Sequence, residues 1–233
     1  MIAESLRALL SKVVDYAGLY PPASLPLPEV IKNYERYLQS PGAWMLNRLV
    51  LPLDKLGEVT PGENWRVTLL VESEPGPLPP QVETLETKSG KRLSLPTYCE
   101  VPLERVEDGY AKIRTAGPSS ESVANFLCAA ASRRLPFKAT AGLHHPFRTG
   151  MHGFLNVFVG ATFAWLGMDP TTLTSLLDET DPKGFEFRDE GLSWRGWRAS
   201  LAEVGQARRD FAHSFGSCSF EEPVNDLRAL ELM

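Results

Sequence analysis

Eight short runs rich in β-branched or apolar residues, each bounded by proline, glycine or another turn former, punctuate this chain, and few architectures bury so many strands of that kind. They are VVDYAGL (13–19), MLNRLVLP (45–52), RVTLLVES (66–73), QVETLET (81–87), PTYCEVP (96–102), YAKIRTAG (110–117), FKATAGLHH (137–145) and FAHSFGS (211–217). Between the sixth and seventh lies PSSESVANFLCAAASRR, in which Ser119 or Ser120 caps a first turn and Val123, Phe126, Leu127 and Ala130 form an apolar stripe at helical spacing. A helix of that length lets the flanking strands pair in parallel. LPEVIKNYERYLQS after the first run and SFEEPVNDLRALEL after the last read as further helices. The alternation predicts an α/β fold, a (β/α)8 or TIM-like barrel, with an open mixed sheet as the alternative.

The third, fourth and fifth runs are joined only by EPGPLPP and KSGKRLSL, neither long enough for a helix. The barrel is therefore expected to have trimmed helices between strands 3 and 5, and the bared flank is a candidate surface for self-association into a homo-oligomer. Residues 146–210 form a long insertion between strands 7 and 8. It holds a helix around PTTLTSLLDE, a hairpin EFRDEGLSWRGW turning at Asp189 to Gly191, and a helix ASLAEVGQARRDF. Residues 1–233 are read as a single barrel domain, since 233 residues suit one domain and are few for two.

From Thr149 to Met168 there is no Asp, Glu, Lys or Arg, a stretch long enough in principle to cross a bilayer. His152, Asn156, Thr162 and four glycines lie within it and no basic cluster flanks it, which favours a buried helix over a membrane span. Gly153, Gly160 and Gly167 recur every seven residues and would let another backbone approach one face. With 24 Lys and Arg against 29 Asp and Glu, the net charge of −5 supplies no concentrated basic excess for nucleic acid. Cys99, Cys128 and Cys218 lack metal-ligand spacing, and MIAESLRALL carries an acid early without a cleavable apolar core. A reducing cytoplasm and a small-molecule substrate are expected, with no membrane or nucleic-acid partner.

Parallel barrels carry their chemistry at the carboxyl ends of the strands. There, by strict alternation, Lys112 and Arg114 share a face, as do Lys138, Thr140 and His144, and Tyr98 and Glu100; Asp15, Glu72, Glu83, Glu86 and His213 complete the polar set. A lysine in an apolar strand is unfavourable to bury unpaired. Two on neighbouring strands suit amine catalysis, in which one lysine beside a second cation loses its proton and attacks a carbonyl. The segments AKIRTAG (111–117) and FKATAG (137–142), joined by a capped helix, resemble class I aldolases of the deoxyribose-phosphate aldolase type over residues 110–145. The resemblance implies an aldolase-type lyase acting on a small carbonyl or phosphorylated metabolite, with Lys112 forming the Schiff base and Lys138 tuning it. The turn after Lys138 departs from that family in reading GLHHPF, and Glu100 or Glu86 would serve in place of its proton-shuttling aspartate. The whole chain also looks like a group of bacterial proteins sharing DYAGLYPPA, GLHHP and FGSCSFEEP, a likeness that implies no activity.

On this reading His144 works with Glu100 in proton transfer, while Arg114, Thr140, His145 and the turn of Gly216, Ser217 and Ser219 hold an anionic group. Ser219 and Glu222 match an S-x-x-E capping box. No cofactor is expected. Two rivals remain: a metal-assisted sugar isomerase or hydrolase in which His144, His152 and Glu100 hold a divalent metal, and a non-catalytic barrel that binds a ligand or partner through its late insertion, its lysines paired with Glu86 or Glu100 in an ion network. The proline-rich link after Asp15 reads as a roof or an extended connector. Trp165, Trp194 and Trp197 place the insertion over the barrel mouth or in a subunit contact.

Overall fold

The computed structural model describes residues 2–233, so Met1 of the expected 1–233 domain lies outside the described residues. The chain begins with α1 (Glu4–Leu10), β1 (Val14–Tyr16), α2 (Leu27–Leu38), β2 (Leu46–Pro52), β3 (Val67–Leu70), β4 (Val82–Thr87), β5 (Thr97–Cys99) and β6 (Tyr110–Arg114). It continues through α3 (Ser120–Ser132), β7 (Phe137–Thr140), α4 (Phe154–Trp165), α5 (Pro170–Leu177), β8 (Phe185–Arg188), β9 (Gly191–Trp194) and β10 (Trp197–Ser200). It ends with α6 (Leu201–Asp210), β11 (Ala212–Ser217) and α7 (Glu221–Ala229). All eight sequence runs are strands of one closed barrel, in the order β1-β11-β7-β6-β5-β4-β3-β2, and every pairing is parallel. The open mixed sheet is thereby excluded.

Local chemistry explains the helices. Ser119 accepts a hydrogen bond from the Ser122 amide at 3.2 Å and starts α3, whose Val123, Leu127 and Ala130 are buried against the barrel. A reciprocal Ser200–Glu203 capping box starts α6. α1 was not foreseen: its seven residues are few for a periodicity signal, yet Leu6, Leu9 and Leu10 are buried.

The trimmed side is wider than the sequence suggested. The links between β3 and β4 and between β4 and β5 hold no helix, as expected, and the links on either side hold only 3-10 turns, at Leu53–Glu58 and Leu103–Arg105. The flank is nevertheless not bare. Outward-facing Val67, Leu69, Leu85 and Cys99 are each 0% exposed, because Leu56, Val59, Leu78, Leu93, Leu95 and Leu103 from the replacing loops pack on the core. An apolar subunit face on that side finds no support.

The insertion folds as α4, α5, a three-stranded antiparallel sheet β10-β9-β8, and α6. α4 is buried from Phe154 to Ala164, and no helix among the described residues is long and apolar enough to cross a membrane. The three spaced glycines do not form one packing face. Gly160 alone meets a neighbouring helix, where an added Cβ would lie 2.9 Å from Leu173 of α5; Gly153 precedes α4, and Gly167 faces open space at φ +94°. The small sheet packs on α1 and α6, with Trp194 buried and Trp165 stacked on Phe211 at 5.5 Å, so these tryptophans serve internal packing.

Candidate active site

Barrels of this type are usually filled by branched apolar side chains. This one is filled by charge. Lys112 and Lys138 are register partners on β6 and β7, which turns both side chains into the barrel. Glu86 from β4 bridges them, one carboxylate oxygen 2.7 Å from the Lys112 Nζ and the other in hydrogen-bond contact with the Lys138 Nζ. Lys112 also pairs with Glu100 at 2.6 Å, and Lys138 with Asp15 at 2.5 Å. Asp15 in turn accepts from the Ser214 hydroxyl and the Asn47 amide, both at 2.7 Å. Arg66 donates to Asn47 at 2.7 Å and pairs with Glu83, which also holds Arg48.

Exposure falls along this line from the mouth inward: the Arg114 side chain is 59% exposed, Glu100 22%, Lys112 8%, Glu86 4%, and Lys138 and Asp15 1% each. Two lysines against three carboxylates leave one negative charge, which Arg114, 3.6 Å from Glu100, offsets at the solvent end. Burial opposes the charge on Lys138, but Asp15 and Glu86 outweigh it and hold this ammonium above the ordinary lysine range. Glu86 is likewise disfavoured by burial, yet Lys138 and Lys112 bring its pKa down to about 2. Both groups are charged at neutral pH.

Below the lysines the barrel closes on an aromatic floor. The Lys138 Nζ sits 5.5 Å from the Tyr98 ring centroid, and the Tyr98 hydroxyl donates to His213 Nδ1 at 2.8 Å while His213 Nε2 donates to the Arg209 carbonyl at 3.1 Å. Burial and the Arg208 cation lower the His213 pKa to about 4, so this ring is neutral. Strict alternation could not place several of these side chains. The registers shift between Val14 and Tyr16 on the β1–β2 pair, between Val67 and Thr68 on the β3–β4 pair, and between Ala212 and Ser214 on the β7–β11 pair. Each bulge inserts one extra residue: Asn47 and Arg48 together stand opposite Asp15, and Glu83 and His213 are the additions on the other two pairs.

At the mouth, Arg114, Thr140 and Gly216 are register neighbours across β6, β7 and β11. The expected anion turn is otherwise engaged: the Ser217 hydroxyl accepts from the Ser219 amide at 3.3 Å, and the Ser219 hydroxyl from the Glu222 amide at 3.2 Å. The capping box is half formed, because the Glu222 carboxylate binds His144 Nδ1 at 2.9 Å instead. His145 Nδ1 contacts Asp226 one turn further along α7 at 2.7 Å. Strict alternation along β7 would put the adjacent His144 and His145 on opposite strand faces. β7 ends at Thr140, so the alternation does not reach them and both rings reach α7. His144 is thus partnered with Glu222, while Glu100 serves Lys112 and Arg114.

The third metal candidate, His152, donates from Nε2 to the Pro118 carbonyl and accepts at Nδ1 from Arg148, both at 3.1 Å. Among the described residues no three His, Cys, Asp or Glu side chains are grouped as a metal site. None of the three cysteines is in a disulfide. Two surface clefts, of about 330 and 440 Å3, lie at Glu63 to Glu83 and along the β8–β10 sheet. Comparison with protein-family models, curated proteins and solved structures finds no significant match to this chain.

Proposed function

We propose that this barrel is a Schiff-base enzyme of the aldolase type, with Lys112 as the amine that attacks a small carbonyl substrate. The observation that carries the reading is the bridged lysine pair. Two lysines midway along adjacent strands share one buried carboxylate inside a parallel barrel, below the carboxyl-terminal mouth where such folds place their chemistry. Replacing buried ion networks by apolar packing is often neutral or stabilising, so stability alone gives a weak reason to keep five charges there.

The residues divide the work by position. Lys138, held charged by Asp15 and Glu86, is a fixed cation beside Lys112. Glu86, with its pKa near 2, is a poor base and acts as a counter-ion. Glu100 is nearer solvent and 2.6 Å from the Lys112 Nζ, so it is the carboxylate that takes a proton from that ammonium. The freed amine adds to the carbonyl carbon, and loss of water leaves an iminium. Breaking the adjacent carbon–carbon bond sends its electron pair into that iminium, giving an enamine, while the β-hydroxyl proton passes to a carboxylate and an aldehyde departs. Arg114, exposed at the rim, suits a carboxylate or phosphate on the substrate.

Sodium borohydride trapping with acetaldehyde, dihydroxyacetone, pyruvate and glyceraldehyde 3-phosphate tests this. Peptide mass spectrometry is expected to find a reduced adduct on Lys112 that Lys112→Met abolishes. An unmodified Lys112 with every carbonyl, or labelling indifferent to the substitution, refutes the proposal. It would favour the competing reading, a ligand-binding barrel, for which the full ion pairing of both lysines is the supporting observation.

A further inference from the structure

Among the described residues two buried hydroxyls lack a hydrogen-bond partner, Ser5 Oγ in α1 and Tyr20 Oη beyond the carboxyl end of β1. Tyr16 accepts from Asn33 at 3.5 Å, Tyr34 donates to the Arg66 carbonyl at 3.1 Å, and Tyr98 donates to His213. The Tyr20 hydroxyl is buried and has no hydrogen-bond partner. A buried hydroxyl left unpaired is unfavourable. Its link is ordered: the Ala17 amide donates to the Ser217 carbonyl at 2.7 Å, Tyr20 to Ala17 at 3.0 Å, Ser24 to Tyr20 at 3.1 Å and Leu25 to Gly18 at 2.9 Å. The proline-rich segment is therefore folded back on itself rather than extended, and it holds Tyr20 just past the carboxyl end of β1, the strand that carries Asp15. The charges of Glu86, Asp54 and Lys138 all act on this phenol, and burial above all keeps it protonated beyond the ordinary tyrosine range. It is a donor without an acceptor, held past the end of the strand whose Asp15 pairs with Lys138.

We propose that Tyr20 is a catalytic hydrogen-bond donor that binds the oxygen of the carbonyl attacked by Lys112, a role that rests on the imine chemistry above. The acceptor missing from the folded chain is then the substrate oxygen. As the Lys112 nitrogen bonds to carbon, the carbonyl π pair moves onto oxygen, where the phenol stabilises it. When the carbinolamine C–O bond breaks, the nitrogen lone pair forms C=N and the oxygen departs as water. The starting ammonium has three protons and the iminium keeps one; the other two leave in that water, so Tyr20 ends the step with its own proton.

The test is Tyr20→Phe, which removes the oxygen and keeps the ring. With the carbonyl of the borohydride panel that labels wild-type Lys112 fastest, the variant is expected to label the same lysine about 100-fold more slowly, a usual size for one positioned proton donor. Its melting temperature is expected to equal or exceed that of the wild type, since no hydrogen bond is lost. Labelling at the wild-type rate overturns the role of Tyr20 while leaving Lys112 in place. Slow labelling with a clearly lowered melting temperature marks the hydroxyl as structural and overturns it too. Failure of the wild type to label at Lys112 overturns the imine reading and, with it, this role.

Discussion

Lys138→Met removes the deepest cation of the barrel with little change in volume, and its consequences can be worked from the network. In the native chain Glu86 lies at about 2 against an ordinary 4.5. At 1.36 kcal/mol per pKa unit that corresponds to about 3 kcal/mol of stability at neutral pH, the excess of both lysines over burial. Breaking a buried pair by deleting one partner usually costs about 3–5 kcal/mol. A loss of about 4 kcal/mol at pH 7 is therefore expected by urea titration followed by tryptophan fluorescence. The sign of its pH dependence is a sharper check. Native Glu86 has a depressed folded pKa, so its contribution is present above pH 4.5 and is lost as pH falls through about 2. In the variant, burial of Glu86 is no longer offset by Lys138, and its folded pKa rises. The variant then gains relative stability as pH falls, and its deficit shrinks to about 2 kcal/mol near pH 4.5. Glu86→Gln leaves Lys112 paired with Glu100 and Lys138 with Asp15, so about half the loss is expected at pH 7. A deficit below about 1 kcal/mol for Lys138→Met at pH 7, unchanged at pH 4.5, would show that the network is not a buried, charged one.

Other expectations reach different parts of the molecule. His213 is depressed to about 4, so below pH 6.5 the unfolded chain takes up its proton first, and stability falls by about 3 kcal/mol as pH drops from 6.5 through 4. His213→Asn keeps an acceptor for Tyr98 without the titration, and its unfolding free energy should be flatter across that window; an identical pH slope in both proteins would sink the assignment. Gly160→Val should lower stability by about 1–3 kcal/mol, because even an added Cβ would lie 2.9 Å from Leu173 and 3.3 Å from Leu176. A melting temperature unchanged by that substitution would mean that α4 and α5 are not in close contact. Lys112→Met should remove the trapped adduct, and Tyr20→Phe should slow its formation.

The lysine pair was legible because residues two apart on a strand share a face and AKIRT and FKATA are uninterrupted, so Lys112 and Lys138 fall in register. The ion partners Glu86 and Glu100 were legible for the same reason, whereas Asp15 was noted only as a residue near a strand end. Asn47, Arg48, Glu83 and His213 could not be assigned, because each lies where a bulge breaks the period of two. His144 and His145 were misplaced through extending that period past the end of β7. Tyr20 was hidden for a different reason: a proline-rich link reads as a roof or connector, and no local pattern announces that its hydroxyl is buried.

What the chain alone determined is the count and chain order of the barrel strands. A strand is recorded in consecutive residues as β-branching, apolar runs and turn formers, and eight of them alternating with helices pointed to a parallel barrel, with the open mixed sheet excluded only by the closed structure. What only the tertiary structure decided is which charges meet. Asp15 and Lys138 are 123 residues apart and Glu86 and Lys138 52, and their pairing depends on barrel closure, shear and bulges, which arise between strands rather than within one. The lopsided wall follows the same division: the short links were readable, but that loop leucines would seal the flank was settled only by packing in three dimensions.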